Sequence, residues 1–222
     1  QGDESTASFR RGVAGRDVPC YAGPLVFGQL LIVLVPGRGL LALHQESGEI
    51  AWEVELANGK LAPAAPALEG EVLVSAGDVN KLMVLEASTG KVMWHREVLE
   101  GDYPTGLTVA GERIYVTTPV GGVRCFDLWS GELQWRFETG SDLLDMIPRR
   151  RGLRSLLATP VFWHERLIVG ANDGVLYLLD PATGTCTSRL DLGAPISATP
   201  CIDGDRIWVG TFDGRLFCFQ VR

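Results

Sequence analysis

Residues 43 to 52 read LHQESGEIAW, residues 85 to 94 read LEASTGKVMW, and residues 126 to 135 read FDLWSGELQW. Each is Leu or Phe, a polar residue, three further residues, Gly, three more, and Trp. A fourth copy, LDPATGTCTS at 179 to 188, keeps the pattern as far as its glycine and ends on Ser188 where the others have Trp. The glycines Gly48, Gly90, Gly131 and Gly184 are 42, 41 and 53 residues apart. A second set of markers, each just ahead of an apolar run, is Gly28, Gly70, Gly111, His164 and Gly204, with steps of 42, 41, 53 and 40 residues. Two independent markers with one step define a repeat of about forty residues.

Each unit holds four short apolar runs bounded by turn residues, the pattern of a four-stranded antiparallel meander. In the fourth unit they are ATPVFW (158 to 163), RLIVG (166 to 170), VLYLLD (175 to 180) and TCTSRLDL (185 to 192). Asn172, Asp173 and Gly174 turn the second run into the third, and Phe212, Asp213 and Gly214 repeat the device, since Asp-Gly supplies the positive φ of a tight hairpin. Radial repetition of such sheets makes a β-propeller. The spacing therefore predicts one all-β domain over 1–222, a five-bladed propeller with units at about 13–55, 56–98, 99–139, 158–192 and 193–222, the alternative being part of a longer propeller with more blades. The fifth unit stops after its third run, and residues 5–12 are the expected missing strand. Phe9 lies 15 residues before Pro24, much as Trp52 lies 14 before Pro66, so Phe9 takes the Trp position of the last blade. Closure by this N-terminal strand leaves no open edge. Trp52, Trp94 and Trp135, with Phe9, read as wedges that dock one blade on the next, because an aromatic ring at a fixed place in every unit buries a large area.

Asp and Glu number 27 against 20 Lys and Arg, a balance that argues against a nucleic-acid surface spanning the protein. No run approaches the roughly 20 apolar residues of a membrane-spanning helix, and the start QGDESTASFRR lacks the apolar core of a signal peptide. The five cysteines, Cys20, Cys125, Cys186, Cys201 and Cys218, form no CxxC pair and read as buried free thiols.

Catalytic signatures are missing. His44, His95 and His164 have no metal-ligand spacing, and no nucleophile elbow, P-loop or dinucleotide fingerprint occurs. Asp173, Asp205 and Asp213 sit in hairpins, where turn propensity accounts for them. No catalytic, cofactor-binding or metal residue is expected, and the chain is not expected to be an enzyme. Inner strands open on AAP (64 to 66), ATP (158 to 160) and ATP (198 to 200), small residues suited to a crowded axis, with Thr159 and Thr199 as candidates to line a channel and contact a small polar ligand. One stretch departs from the repeat: GSDLLDMIPRRRGLRSLL at 140 to 157, whose residues 141–157 form an insertion between the third and fourth units. A loop that the scaffold does not need is where specificity is carried. Its Arg149, Arg150, Arg151 and Arg154 offer guanidinium forks for carboxylate or phosphate and are the candidate partner-binding residues.

The repeated Asp, Gly and Trp resemble the motif of PQQ-like propeller repeats, found in quinoprotein alcohol dehydrogenases, in outer-membrane assembly lipoproteins of the BamB type, and in modules attached to kinases and phosphoesterases. Asp127, Gly131 and Trp135 match in full, Glu86, Gly90 and Trp94 and then His44, Gly48 and Trp52 nearly so, and Asp180 and Gly184 match without the Trp. The resemblance covers the chain outside the insertion and implies a propeller scaffold, with a periplasmic or other extracytoplasmic location; the unpaired cysteines leave the cytoplasm open as the alternative. The family's enzymes are larger rings with adjacent cysteines, a calcium held by carboxylate and amide groups, and an Asp base. This sequence has no adjacent cysteines, so neither a quinone nor calcium is expected. The resulting expectation is a non-catalytic scaffold that binds a protein partner or another domain of its own polypeptide through the face carrying the insertion. The alternatives are a ligand-sensing or regulatory domain of a kinase or phosphoesterase, and a reduced quinoprotein oxidoreductase.

Overall fold

In the computed structural model, residues 23–35, 38–56, 64–78, 80–97, 104–120, 122–144 and 154–220 are described. They form five antiparallel sheets, each a meander in chain order, and no helix. The first holds β1 (Leu25–Phe27), β2 (Leu30–Val35), β3 (Gly39–His44) and β4 (Ile50–Glu55). The second holds β5 (Ala67–Glu69), β6 (Val72–Asp78), β7 (Lys81–Glu86) and β8 (Val92–Glu97). The third is β9 (Gly106–Ala110), β10 (Arg113–Thr118), β11 (Gly122–Asp127) and β12 (Leu133–Phe137), and the fourth β13 (Val161–Trp163), β14 (Arg166–Gly170), β15 (Val175–Leu179) and β16 (Cys186–Asp191). The fifth has three described strands, β17 (Cys201–Asp203), β18 (Arg206–Gly210) and β19 (Leu216–Gln220). The all-β, four-stranded propeller architecture is thus present; the expected closing strand at 5–12 lies outside the described residues.

The sheets stack face to face, which explains why their middle strands read as unbroken apolar runs rather than alternating ones. In β7, Leu82 and Val84 face the third sheet while Met83 and Leu85 face the first, and all four are buried. Ile32, Leu40 and Ala42 of the first sheet meet Leu73 and Leu85 of the second. Val74 and Val84 meet Ile114, Val116 and Phe126 of the third, Tyr115 and Val123 meet Leu167 and Val169 of the fourth, and Ile168 and Leu176 meet Ile207 and Val209 of the fifth. Among the described residues no core cluster, hydrogen bond or ring contact joins the fifth sheet to the first. The face of the fifth sheet turned away from the fourth carries exposed Cys201, Cys218 and Leu216 around half-buried Trp208.

Every pairing of a third with a fourth strand carries a bulge at one place, between Ala42 and Leu43, Val84 and Leu85, Cys125 and Phe126, and Leu178 and Leu179. The extra residue on the outer strand precedes the Trp and turns it inward, opposite Ala42, Val84 or Cys125. The three residues between Gly and Trp in the motif are thus the length of a turn exit plus one bulge.

Candidate docking face

In a meander the hairpins between second and third strands share one end of the stack with the connections from one sheet to the next. That end carries the insertion. Backbone hydrogen bonds lace its loops together across sheets three to five. Leu156 N donates to Thr118 O (3.2 Å), Asn172 N to Ser155 O (3.3 Å), Leu143 N to Asn172 O (3.0 Å), Ile196 N to Ala171 O (3.0 Å) and Phe212 N to Pro195 O (2.8 Å).

Both stems of the insertion are fixed to the fourth sheet's hairpin. Gly140 N donates to Asp173 Oδ2 at 2.6 Å, an oxygen that also accepts the Tyr177 hydroxyl at 2.5 Å. Burial first, and this carboxylate second, push the Tyr177 phenol up to about 12, so Tyr177 stays a donor at neutral pH. On the other stem Ser155 N donates to Asp142 Oδ1 at 2.7 Å and its hydroxyl to Asp142 Oδ2. Asn172, fully buried, donates from Nδ2 to Ser155 Oγ at 3.3 Å and accepts from Ser197 Oγ at 3.0 Å. A buried amide without partners costs free energy, so this chain of bonds holds the base in one arrangement. Asp142 and Ser155 are therefore in contact and close the base of the insertion.

The same end exposes large apolar side chains: Val120, Leu143, Leu144 and Phe212, the last at 60%. Leu143 lies over the hairpin, its Cδ1 only 2.8 Å from where a Cβ on Gly174 would stand, with Ala194 N 3.1 Å from that point. Arg154 forms an exposed ion pair with Glu138. Arg215 binds Asp213 at 2.6 Å and the Leu192 carbonyl at 2.8 Å and lies 5.2 Å above the Phe217 ring.

Of the candidate residues, Arg149, Arg150 and Arg151 lie outside the described residues, as does Phe9, and Arg154 stands on the second stem. Thr159 and Thr199 meet at the axial end of the inner strands, where Thr159 N donates to Thr199 Oγ1 at 3.0 Å. Neighbouring threonines act likewise: Thr108 Oγ1 donates to Pro160 O at 2.5 Å, and Thr105 Oγ1 to Leu156 O. These hydroxyls staple adjacent sheets. Trp52, Trp94 and Trp135 each donate their indole N–H to a carbonyl in the next sheet's turn, at Ala87 (3.0 Å), Leu128 (2.9 Å) and Pro181 (3.1 Å). Each also lies against that turn's glycine. Where the fourth repeat has Ser188, the bond to the fifth sheet comes from Trp163 in an inner strand, whose Nε1 donates to Gly204 O at 2.9 Å.

Asx turns explain the motif's acid. Asp127 Oδ1 accepts from Trp129 N, Ser130 N and Ser130 Oγ, and Asp180 Oδ1 from Ala182 N and Thr183 N. These donors, led by the Ser130 and Thr183 amides, hold both carboxyls below their ordinary range. His44, His95 and His164 are on separate elements, and among the described residues no group of three or more His, Cys, Asp or Glu could hold a metal ion. Two clefts, of about 240 Å³ against Glu71, Lys91 and Met93 and about 180 Å³ against His44, Gln45, Glu46 and Ser47, lie beside turns, and in the second Ser47 Oγ accepts from Glu49 N at 3.2 Å. Cys125, Cys186, Cys201 and Cys218 are free thiols. Of these four only Cys125 is buried, which pushes its thiol up to about 12; Cys201 and Cys218, expected inside, are exposed because they lie on the outward face of the fifth sheet, and Cys20 lies outside the described residues.

Sequence reasoning missed Asp142, Ser155 and Asn172. Their only signal is an Asn in the NDG hairpin where the fifth unit has an exposed Phe212. It also missed Trp163, which stands in a first strand where the repeat has no Trp.

The family model described as outer membrane protein assembly factor BamB matches residues 36–222. The BamB of Burkholderia pseudomallei strain K96243 is 26% identical over 240 residues, which cover 100% of this chain and 57% of that protein. Among solved structures, BamB from Moraxella catarrhalis superposes with a TM-score of 0.73 at 20% identity over 94% of this chain and 60% of its own. A europium-containing methanol dehydrogenase superposes with a TM-score of 0.62 at 15% identity, over 89% of this chain and 50% of its own. This chain spans somewhat over half the length of such relatives. At these identities the structural likeness speaks for the fold, which serves an assembly factor and an oxidoreductase alike.

Proposed function

The chain belongs to the BamB family of PQQ-like repeat propellers, and on that premise we propose that it is a non-catalytic scaffold that docks a protein partner, or another domain of its own polypeptide, on the end that carries the insertion. The observation that carries this reading is the double anchoring of the insertion. Asn172, Ser155 and Asp142 tie its base to the fourth sheet's hairpin. A base fixed in one arrangement is pre-organised, so docking there costs less ordering entropy. Around the base, Val120, Leu143, Leu144 and Phe212 supply apolar contact, and Arg149, Arg150, Arg151 and Arg154 supply charge suited to an acidic partner. Relatives named as assembly factors favour outer membrane protein assembly as the setting and an extracytoplasmic location.

Reversing Arg149, Arg150, Arg151 and Arg154 to Glu tests this. Exposed charges contribute little to folding, so the melting temperature should move by no more than a few degrees, part of it from the lost Arg154–Glu138 pair. Partner binding should weaken at least tenfold, and binding by the unmutated protein should fall steeply with added salt. Unchanged binding by a folded quadruple variant would remove these arginines from the docking face.

A further inference from the structure

The linkers that leave the third and fourth sheets repeat one contact. Residues 155 to 160 read SLLATP and residues 195 to 200 read PISATP, at the same place in successive units. In the first, Leu156 N donates to Thr118 O at 3.2 Å, and in the second Ile196 N donates to Ala171 O at 3.0 Å. Both side chains are 0% exposed, Leu156 in the core between the third and fourth sheets and Ile196 in the core between the fourth and fifth. Ile196 lies over Gly170, where a Cβ would stand 2.4 Å from its Cγ2, and Ala194 of the same linker lies over Gly174, with its N 3.1 Å from the corresponding point. Each linker thus seats an aliphatic side chain over the end of the sheet it leaves and donates one amide to that sheet's second-to-third hairpin.

The fifth sheet presents the same seat. Gly210 pairs with Leu216 as Gly170 pairs with Leu176, and Gly214 follows Gly210 as Gly174 follows Gly170. Apart from chain neighbours, no atom lies within 4 Å of a Cβ built on Gly210 or on Gly214. Leu176 is 0% exposed, whereas Leu216 is 68% exposed, with Phe212 beside it at 60%. The carbonyls agree. Ala171 O accepts from Gly174 N at 3.1 Å as well as from Ile196 N, while Thr211 O accepts from Gly214 N at 3.0 Å and, among the described residues, from no second backbone amide. A carbonyl oxygen has two lone pairs, so Thr211 O can take one more donor. The hairpin is also held in shape: Phe212 N donates to Pro195 O at 2.8 Å, Thr211 N to Arg215 O at 2.9 Å and Thr211 Oγ1 to Asp213 Oδ1 at 2.6 Å. Large apolar side chains exposed together on a rigid base mark an interaction site.

We propose that the seat from Gly210 to Leu216 binds a segment of a partner protein that presents Leu or Ile after Ser or Pro, as this chain's own linkers present Leu156 and Ile196. The partner's aliphatic side chain lies over Gly210 against Leu216, and its backbone N–H donates to Thr211 O. The main-chain bond supplies affinity, and the apolar seat selects the side chain. The hairpin from Thr211 to Arg215 is on the end that carries the insertion, so the inference rests on the docking reading above for where the partner lies, and it adds what the partner presents. The arginines of the insertion act on charge and this seat on an apolar side chain, so either can fail without the other.

The probe is the synthetic peptide DLGAPISATP, the sequence of residues 191 to 200, titrated into the full chain. Amide chemical-shift changes at Thr211, Gly214 and Leu216 should saturate. Gly210→Val, which fills the open space without meeting a neighbour, should weaken binding at least tenfold while the melting temperature stays within a few degrees. A peptide with aspartate in place of its isoleucine should lose at least as much. Reversal of Arg149, Arg150, Arg151 and Arg154 to Glu should leave peptide binding unchanged, so that a peptide that fails to bind removes this inference and leaves the docking reading to its own test. Absence of saturable binding to the folded chain overturns the proposal, as does binding that Gly210→Val leaves intact. Should Gly210→Val fail to fold, Leu216→Asp at its exposed position replaces it, with the same two readings. Self-association of the native chain that Gly210→Val abolishes would assign the seat to a second copy and likewise overturn the proposal.

Discussion

The first three sheets each lay an indole of their outer strand on a glycine of the next sheet's turn. At Gly184 a Cβ would stand 2.5 Å from the Trp135 ring, and the backbone has φ 71°, so any side chain meets both a clash and an unfavourable conformation. The indole N–H bond to Pro181 O adds direction to the packing. Trp94→Ala and Trp135→Ala should each cost about 3 to 5 kcal/mol, as large-to-small changes in packed sites do, measured by denaturant titration of each variant. A cost under about 1 kcal/mol would make these surface tryptophans. At this scale the sequence was informative where one residue type recurs at a fixed offset: Gly, Trp and the Asx-turn Asp all recur because a local geometry demands them. Asn172 was not legible, because a buried amide in a hairpin looks like any turn residue until its partners Ser155 and Ser197 are brought to it by other elements.

At the scale of strands and sheets, the four-run pattern was legible because turns punctuate it, and the bulge was not. A one-residue insertion in the outer strand leaves no compositional trace; it is visible only as the register shift that puts Trp52 opposite Ala42 and Ile50 opposite Leu43. Alternation decides which thiols are reachable. Cys201 and Cys218 are Cα partners of Trp208 from either side, on the outward face of the fifth sheet, while Cys125 is 0% exposed between the third and fourth. A thiol reagent under native conditions should therefore label Cys201 and Cys218 at least a hundredfold faster than Cys125, whose burial also disfavours the reactive thiolate. Protection of Cys201 and Cys218 equal to that of Cys125 would mean that another sheet or segment covers the fifth.

For the molecule as a whole, repetition explains the scaffold and departure from repetition locates the proposed function. Five sheets pack by one recipe, and the insertion alone requires its own buried polar stem, at the end where Leu143, Leu144, Val120 and Phe212 are exposed. The sequence marked the insertion by its length and its arginines but could not show that its two stems close on each other, because Asp142 and Ser155 are brought together only by the hairpin that both contact. The opposite end, with exposed Trp129 in its turns, is the natural control surface. Site-specific photo-crosslinking in the native host measures the difference directly, with the crosslinker placed at Leu144 or Phe212 on the insertion end and at Trp129 or Ala182 on the other. One discrete protein adduct is expected from Leu144 and Phe212, lost when the four arginines are reversed, and none from Trp129 or Ala182. Adducts only from Trp129 or Ala182 would contradict it.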